Sequence, residues 1–568
     1  MITTHQVSGV PVLLAPTTGA MHAGLAFRVG FADEPLAKRG ITHLIEHLAL
    51  HAFGVTDHHY NGATGTEYTY FHTRGTEADV VAFLNGVCAA LRDLPMQRLE
   101  VEKEILRTEE NGRAEGPAER LALWRHGARD FGMPAYPEWG LTGLTPDDLR
   151  AWVAHYFTTE NAALWIAGPG VPAGLDLTLP RGVRRPAPAA SSALPVRPAS
   201  FAGPANVVAW NAAVPHRPAA AVFSGVLERT LFRSLRQDSG ISYTVQSDVA
   251  VRGDGTAVVT AVADALPEKQ AAVLGGFVDV LAAARLGRFD PADVAGVVNQ
   301  RITELTSAEE TGARLPAQVF NLLAGRPVEQ LDRMLAGLRA VTPAEVAEVG
   351  RMAVADGLLM TPGRTTADWA GYTPAPEGSP AAAPGAVHPS LERPDLRLVA
   401  GEQGVSLVDG DSVATVWFDR CAAMLTWPDG ARRLIGDDGV QVHLEPTLFA
   451  GGPAVVAALD SRVRPGLRAP MPPRDPSRVP SPRPAAQPVP SAPARPAGRA
   501  GSVALLVVLS LVIVLCGGLG VLMGADAVAE REDRAYAIGI AVVGLGFAVA
   551  AGFGVRGVLR RRRGNLTN

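Results

Sequence analysis

The chain has 568 residues, which is more than a single hydrophobic core supports, so we expect several domains. Its formal net charge of −4 excludes the broad basic surface of a nonspecific nucleic-acid-binding protein. The three cysteines, Cys88, Cys421 and Cys516, are too far apart for a CxxC metal motif or a dense disulfide framework. This cysteine pattern favours a reducing compartment.

The first part of the chain combines strand patterns with amphipathic helical patterns. Residues 7–16 and 24–29 predict strands bounded by turn residues. Residues 61–71, rich in Gly, Thr and aromatic side chains, predict a strand near an open sheet edge. Residues 78–91 carry apolar side chains at helical spacing, and residues 99–111 predict a second, acidic helix.

An HxxEH motif opens the apolar helical run that begins near Gly40. On a helix, positions i, i+3 and i+4 share one face, so His43, Glu46 and His47 project together. Two neutral imidazoles one turn apart can take the same zinc ion at about 2.0–2.1 Å. The carboxylate of Glu46 is then placed to deprotonate a metal-bound water, which is the inverted zinc-peptidase arrangement. The alternative is a surface helix with polar side chains.

A catalytic zinc ion uses three protein ligands and leaves one position for water, so the motif requires a third ligand from elsewhere. We predict Glu109, which lies two helical turns after Glu102 on the same side of the acidic helix. Glu102 would then orient a histidine without touching the metal. The prediction is one Zn²⁺ per chain, with Glu46 as the catalytic base. A solvated acidic helix face is the alternative for residues 99–111.

Five blocks in order resemble the insulinase/pitrilysin/mitochondrial-processing-peptidase family of inverted-motif zinc peptidases, in its two-domain bacterial type. The blocks are residues 32–48, 61–71, 102–109, 143–161 and 231–243. The resemblance implies an α+β fold with tandem duplicated peptidase domains and zinc-dependent hydrolysis of peptides. Two departures stand out: the gap between His47 and Glu109 is short for the family, and Gly62 replaces the usual alanine.

The resemblance also implies a substrate site. Arg236 and Tyr243 match the pair that binds the substrate carbonyl and stabilises the tetrahedral intermediate, a role suited to a fixed cation and a phenol. Without the resemblance, these two residues would indicate an ordinary helix–turn–strand junction. A peptide would add as a strand along the edge at residues 61–66, where Asn61 lies. A partner subunit would close the cleft, either in a homodimer or in a heterodimer with a related chain.

The C-terminal part predicts a different organisation. Two uncharged apolar runs, residues 503–522 and 535–555, are each long enough to cross a hydrocarbon core of about 30 Å. Arginines flank the pair on the outside, which predicts a hairpin with both ends in the cytoplasm. Residues 395–463 alternate in short strands before a helical run, with pleckstrin-homology-like folds among the candidates. A docking module and a plain spacer are both open interpretations of that segment.

The predicted domains follow in chain order: 1–180, zinc-binding peptidase domain; 196–370, second peptidase-like domain with the Arg/Tyr block; 371–394, linker; 395–463, small β-rich domain; 464–500, Pro/Arg-rich linker; 501–558, transmembrane helical hairpin; 559–568, basic cytoplasmic tail. The predicted fold class is therefore α+β, with tandem peptidase domains, a small β-rich domain and two transmembrane helices.

The resulting functional hypothesis is a membrane-tethered zinc endopeptidase that faces the cytoplasm and acts on peptides or unfolded segments. One alternative is a catalytically silent family member that serves as a structural or peptide-binding subunit at the membrane. A second alternative is a membrane-docked scaffold whose C-terminal module is the functional part.

Overall fold

The computed structural model describes residues 1–51 and 59–482. The shortened segment after the HxxEH helix lies partly outside this range. The predicted hairpin at 501–558 and the basic tail at 559–568 lie wholly outside it, and so do residues 483–500 of the Pro/Arg-rich linker at 464–500.

The first half of the described chain is built on a six-stranded sheet with the strand order β1-β2-β6-β3-β5-β4. Its strands are β1 Thr3–Val7, β2 Val10–Pro16, β3 Met21–Phe27, β4 His59–Thr64, β5 Thr69–Gly75 and β6 Ala162–Gly168. Its helices are α1 Ile41–Leu50, α2 Glu77–Arg92, α3 Leu99–Gly112, α4 Pro117–His126 and α5 Pro146–Tyr156. Strand β4 forms one edge of the sheet.

Alternate strand residues point to opposite sides of this sheet, and both sides are covered by apolar side chains. Leu25 and Phe27 pack on the side of the core that contains apolar residues of α1 and α2. Ala26 and Trp165 point to the other side, where they pack with Leu315 of the second half. One face therefore supports α1, and the other joins the two halves of the chain.

The second half repeats this plan with a sheet of order β12-β7-β11-β8-β10-β9. Its strands are β7 Ala199–Gly203, β8 Val207–Pro215, β9 Val245–Val251, β10 Thr256–Asp264, β11 Leu358–Pro362 and β12 Thr373–Pro374. Its helices are α6 Pro218–Leu231, α7 Gln270–Arg285, α8 Pro291–Glu310, α9 Leu315–Leu323, α10 Leu331–Arg339 and α11 Pro343–Asp356. Five strands match in order and direction, β2-β6-β3-β5-β4 against β7-β11-β8-β10-β9. The chain therefore contains tandem domains of one topology.

Residues 386–478 form a third unit, which we call the β module. It contains two four-stranded sheets, β13-β14-β15-β16 and β19-β18-β17-β20, and one helix. Its elements are β13 Ala386–Pro389, β14 Leu396–Ala400, β15 Gly404–Asp409, β16 Ser412–Trp417, β17 Cys421–Thr426, β18 Arg432–Gly436, β19 Gln441–Leu444, α12 Gly452–Arg462 and β20 Arg468–Pro470. Residues 371–394, predicted as a linker, contribute β12 and β13 to sheets.

The predicted fold class needs two corrections. First, the sheets of both halves are mixed, because β2–β6 and β7–β11 are parallel pairs among antiparallel ones. Second, no helix in residues 1–51 and 59–482 has both the length and the apolar character to cross a membrane. The longest described helix, α8, carries Asp293, Arg301 and Glu304, whose charges a hydrocarbon core would exclude. The predicted transmembrane fold and membrane location are contradicted by this finding and are not retained.

Buried polar contacts join α4 of the first half to the second half. Arg125 donates from Nε to Asn211 Oδ1 (3.0 Å) and from Nη1 to Asp356 (2.8 Å). The neighbouring His126 contacts the Ser191 carbonyl through Nδ1 (2.6 Å) and Arg252 through Nε2 (2.9 Å). Because arginine can only donate, His126 must be neutral, with its proton on Nδ1.

We expect His126 to make the protein sensitive to mild acid. Burial, together with the charge of Arg252, lowers the pKa of His126 to about 3. The unfolded chain, with an ordinary histidine pKa near 6.5, binds the extra proton first as the pH falls. Stability is therefore complete above about pH 6.5 and declines below it, by at most about 1.4 kcal/mol per pH unit from this residue. Thermal unfolding between about pH 7.5 and about pH 5 should show a shallower decline for His126→Gln. The exposed His5→Gln should follow the wild type, and equal slopes for all three proteins would contradict the prediction.

Candidate active site

Helix α1 carries the HxxEH motif, and Glu34 organises its first turn. The Glu34 carboxylate accepts hydrogen bonds from the backbone N–H groups of Gly40 (3.0 Å) and Thr42 (2.9 Å). These are helix-start donors that have no partner within the helix. Gly40 has φ +99°, a conformation that glycine adopts without strain. Leu44, Ile45 and Leu48 are fully buried in the core, so the opposite side of α1 carries the motif.

The structure brings the three predicted metal ligands together. One ligand atom from each of His43, His47 and Glu109 lies within 4.8 Å of the others. Glu109 Oε2 is 3.9 Å from His43 Nε2 and 3.8 Å from His47 Nε2. Both distances are below about 4.2 Å, which is twice the usual zinc–nitrogen distance. One ion can therefore reach the carboxylate and each imidazole with little movement of the side chains.

Carboxylates also hold the outer nitrogens of both imidazoles. Glu138 Oε1 lies 3.0 Å from His43 Nδ1, and Glu102 Oε2 lies 3.5 Å from His47 Nδ1. A proton on each Nδ1 leaves the Nε2 lone pair directed at the cluster, the usual arrangement around metal-bound histidines. Two imidazoles and a carboxylate, oriented in this way, are a donor set that suits zinc.

Glu138 is a member of the candidate site that the sequence did not predict. It lies 95 residues from His43, just before the 3-10 turn Trp139–Thr142, and has no helical or strand periodicity. The residue is only 8 % exposed, and its carboxylate also approaches Arg39. Because its role depends on a distant loop folding back onto α1, no local pattern could have identified it.

Glu46 is buried beside the three ligands. It is only 5 % exposed, and its carboxylate accepts a hydrogen bond from Thr64 Oγ1 (2.7 Å) on β4. Burial raises the pKa of Glu46, against the opposing effect of His43. A Cβ at Gly62 would lie 2.7 Å from Glu46 Oε1. The glycine at this position therefore leaves room for the carboxylate of Glu46.

The electrostatics of the cluster favour a cation. Burial alone would lower the pKa of His43, but the hydrogen bond and charge of Glu138, together with Glu46 and Glu109, outweigh it and raise the pKa. The same pairing lowers the pKa of Glu138 although that residue is buried. Several carboxylates around two imidazoles create a negative potential that attracts a divalent metal ion.

The predicted substrate residues lie on other elements. Arg236 is in the π-helical turn Phe232–Asp238 of the second half, and its guanidinium lies over the Tyr243 ring at 4.7 Å. Tyr243 is 74 % exposed. Asn61 is exposed on the edge strand β4, where its Oδ1 accepts from the backbone of Gly62 (2.9 Å). Among the described residues, no hydrogen bond or ion pair joins these three to His43, His47 and Glu109, the candidate metal-ligand cluster.

Comparisons with known proteins identify the fold. No protein-family model matches the chain, and no curated protein matches it either. Solved structures do. A protease from Helicobacter pylori aligns with a TM-score of 0.54 at 15% identity, covering 64% of this chain and 99% of that one. A peptidase M16 inactive domain from Pseudomonas fluorescens gives 0.55 at 14% identity, covering 64% and 98%. The first half of the periplasmic protease PqqL from Escherichia coli gives 0.52 at 12% identity, covering 65% and 93%.

These likenesses define the class of fold, which is that of the M16-like peptidases of the insulinase/pitrilysin type. At such low identity they establish the fold alone. One of the similar structures is described as inactive, so the comparison by itself does not establish catalysis.

Proposed function

We propose that the protein is a zinc metalloendopeptidase. The observation that carries the proposal is the convergence of His43, His47 and Glu109 to within 4.8 Å, in a chain with an M16-like peptidase fold. Glu46 lies beside this set on the same helix, with its carboxylate held by Thr64. An acidic side chain next to an empty coordination position is what metal-assisted hydrolysis of a peptide requires.

When bound, a zinc ion would supply Lewis-acid polarisation of the scissile carbonyl and would lower the pKa of water. Proton transfer and the orientation of the ligands depend on side chains of the protein. Glu46 removes a proton from the attacking water at its carboxylate oxygen and then delivers it to the leaving amine. Thr64 fixes the orientation of this carboxylate, while Glu138 and Glu102 keep the two imidazoles in the tautomer that ligation needs.

The substrate proposal rests on the open edge of the first sheet. Within residues 1–51 and 59–482, strand β4 has a sheet neighbour on one side only, so its other edge can accept an extended peptide through main-chain hydrogen bonds. The edge passes Asn61 and Thr64, the residue that contacts Glu46. This mode of binding selects peptides or unfolded segments. A partner subunit would supply Arg236 and Tyr243 to hold the substrate carbonyl, in a homodimer or in a heterodimer with a related chain.

A catalytically silent, peptide-binding subunit is the second candidate. It is favoured by the inactive M16 domain among the similar structures. This chain keeps both histidines, the third carboxylate and Glu46, and therefore has the residues that hydrolysis needs. Metal content and cleavage separate the two candidates directly.

Metal removal is the experiment that tests the proposal. We expect the purified protein to contain about one zinc per chain and to cleave a quenched, unstructured peptide. Dialysis against a chelator should abolish cleavage, and one equivalent of zinc should restore it. Circular dichroism should remain unchanged, because the cluster lies at the surface of a complete core. A metal-free protein that still binds the peptide, or cleavage that survives chelation, would contradict the zinc-peptidase proposal.

A further inference from the structure

The β module packs against the first half close to Glu138, the residue that contacts His43 Nδ1 behind the metal-ligand cluster. Strand β17 has alternating residues on two buried faces. Met424 lies in the core of the module, whereas Ala423 and Leu425 point the other way. These two residues, with Ile435 and Ala469, pack against the first half at Leu36, Ala37 and Met133. The sheet is therefore buried on both faces, and one of them is an interface.

The contacted segments of the first half lead directly to the site. The 3-10 turn Leu36–Lys38 precedes Arg39 and the start of α1, and the 3-10 turn Trp139–Thr142 follows Glu138. The N–H of Gly140 donates to the Arg39 carbonyl (3.1 Å), which ties the two turns together. A movement of either turn would therefore reach the other.

Arg39 connects these turns to the metal-ligand histidine. It is fully buried, donates from Nε to the Met133 carbonyl (3.2 Å) and pairs through Nη1 with Glu34 (2.9 Å). The same Nη1 lies 3.5 Å from Glu138 Oε1, the atom that contacts His43 Nδ1 at 3.0 Å. The contacts thus form a continuous path from the module face, through Met133 and Arg39, to His43.

Close backbone packing fixes the module at this face. A Cβ at Gly143 would lie 2.7 Å from Cδ of Pro470 on β20. On the other side of the interface, the Asp437 carbonyl accepts from the Ala128 N–H (3.0 Å), and its carboxylate accepts from Arg129 (2.9 Å). There is no room for an added methyl group at Gly143 unless the module shifts.

We propose that the β module is a positioning element for the metal site: its β17–β20 face holds the turns 36–38 and 139–142, and through Arg39 it fixes Glu138 against His43. This inference rests on the proposed function for the identity of the bound metal. It assigns a role in the chemistry to a domain that lies outside the tandem peptidase repeat. Glu138 and Arg39 act through His43 and are positioning residues.

The test adds a methyl group at the interface and, in a second variant, also removes the Pro470 atoms that this methyl group would contact. Gly143 has φ −91°, so Gly143→Ala is allowed by the backbone and its Cβ pushes against the Pro470 ring. Pro470→Ala in the same chain removes Cγ and Cδ and should relieve the contact. Gly466→Ala is the matched control, because it makes the same change within the module where a Cβ meets nothing within 4 Å.

Two measurements on the full chain report on the state of the metal site. Competition with a chromogenic chelator gives the zinc Kd, and we expect Gly143→Ala to raise it about 3- to 10-fold, somewhat less than the 10–100-fold typical of losing a carboxylate behind a ligand. Amide exchange of residues 36–48 in the metal-free protein should become faster in the same variant. The double variant should return both values to within about 2-fold of the wild type, and Gly466→Ala should change neither.

The outcomes separate this inference from the proposed function. Unchanged zinc Kd and exchange in a folded Gly143→Ala protein, or equal changes in Gly466→Ala, would overturn the positioning role. A wild-type chain that binds no zinc would instead overturn the proposed function, and the exchange measurement would still decide whether the module orders residues 36–48. If Gly143→Ala does not fold, Asp437→Ala replaces it, with Asp409→Ala as its control. Asp437 pairs with Arg129 across the interface, and Asp409 pairs with Arg393 within the module.

Discussion

Glu46→Gln is expected to lower peptide hydrolysis by about 100- to 10,000-fold while leaving the bound metal in place. The amide has the shape of the carboxylate and can still accept the hydrogen bond from Thr64, which is 2.7 Å away in the wild type. It cannot take a proton from the attacking water. Since Glu46 is not among the three residues that converge as ligands, zinc content should remain near one per chain. Initial rates with a quenched peptide and metal analysis of the same preparation check both parts.

Glu104→Gln provides the matched control for this variant. Glu104 is on α3, its side chain is 70% exposed, and it pairs with Arg107. The substitution removes the same charge at the surface, so hydrolysis should stay within about 2-fold of the wild type. If Glu46→Gln kept more than about a tenth of the wild-type rate, Glu46 would not be the base. If it lost the metal, Glu46 would have to be reassigned as a ligand.

The local part of the site could be predicted from the sequence because a helix repeats every 3.6 residues. That periodicity places His43, Glu46 and His47 on one face without any knowledge of the rest of the fold. Glu109 needed more than its position two turns from Glu102, because only the packing of α3 beside α1 brings it to the histidines. Glu138 could not be predicted, since it reaches His43 from a 3-10 turn that has no repeat to identify it.

The tandem architecture could also be predicted, although only the structure gives its strand order. The C-terminal interpretation was less successful, for two physical reasons. The module strand at 421–426 is an almost continuous apolar run, which indicates burial on both faces, but the sequence does not say what covers the second face. Apolar length alone predicted a membrane hairpin at residues that lie outside the described range, and no described helix is long and apolar enough to cross a membrane.

Glu109→Gln should weaken metal binding strongly, raising the zinc Kd by at least about 100-fold. Loss of a carboxylate behind a ligand typically costs 10–100-fold, so loss of a ligand should cost more. Glu109 Oε2 is the oxygen that lies 3.9 Å and 3.8 Å from the two Nε2 atoms. An amide oxygen at that position has no formal charge and binds zinc weakly. Chelator competition on the purified chain measures the change.

The acidic helix α3 offers two comparisons that make this prediction specific to one side chain. Glu104→Gln removes an exposed carboxylate of the same helix, which pairs with Arg107, and it should leave the zinc Kd within about 2-fold of the wild type. Glu102→Gln removes the partner of His47 Nδ1 and should fall between the other two variants, at about 10- to 100-fold. The order Glu109, Glu102, Glu104 distinguishes a ligand, a residue that orients a ligand, and a surface charge. If Glu102→Gln released zinc more readily than Glu109→Gln, the third ligand would be Glu102. If all three variants behaved alike, the acidic helix would act only through its overall charge.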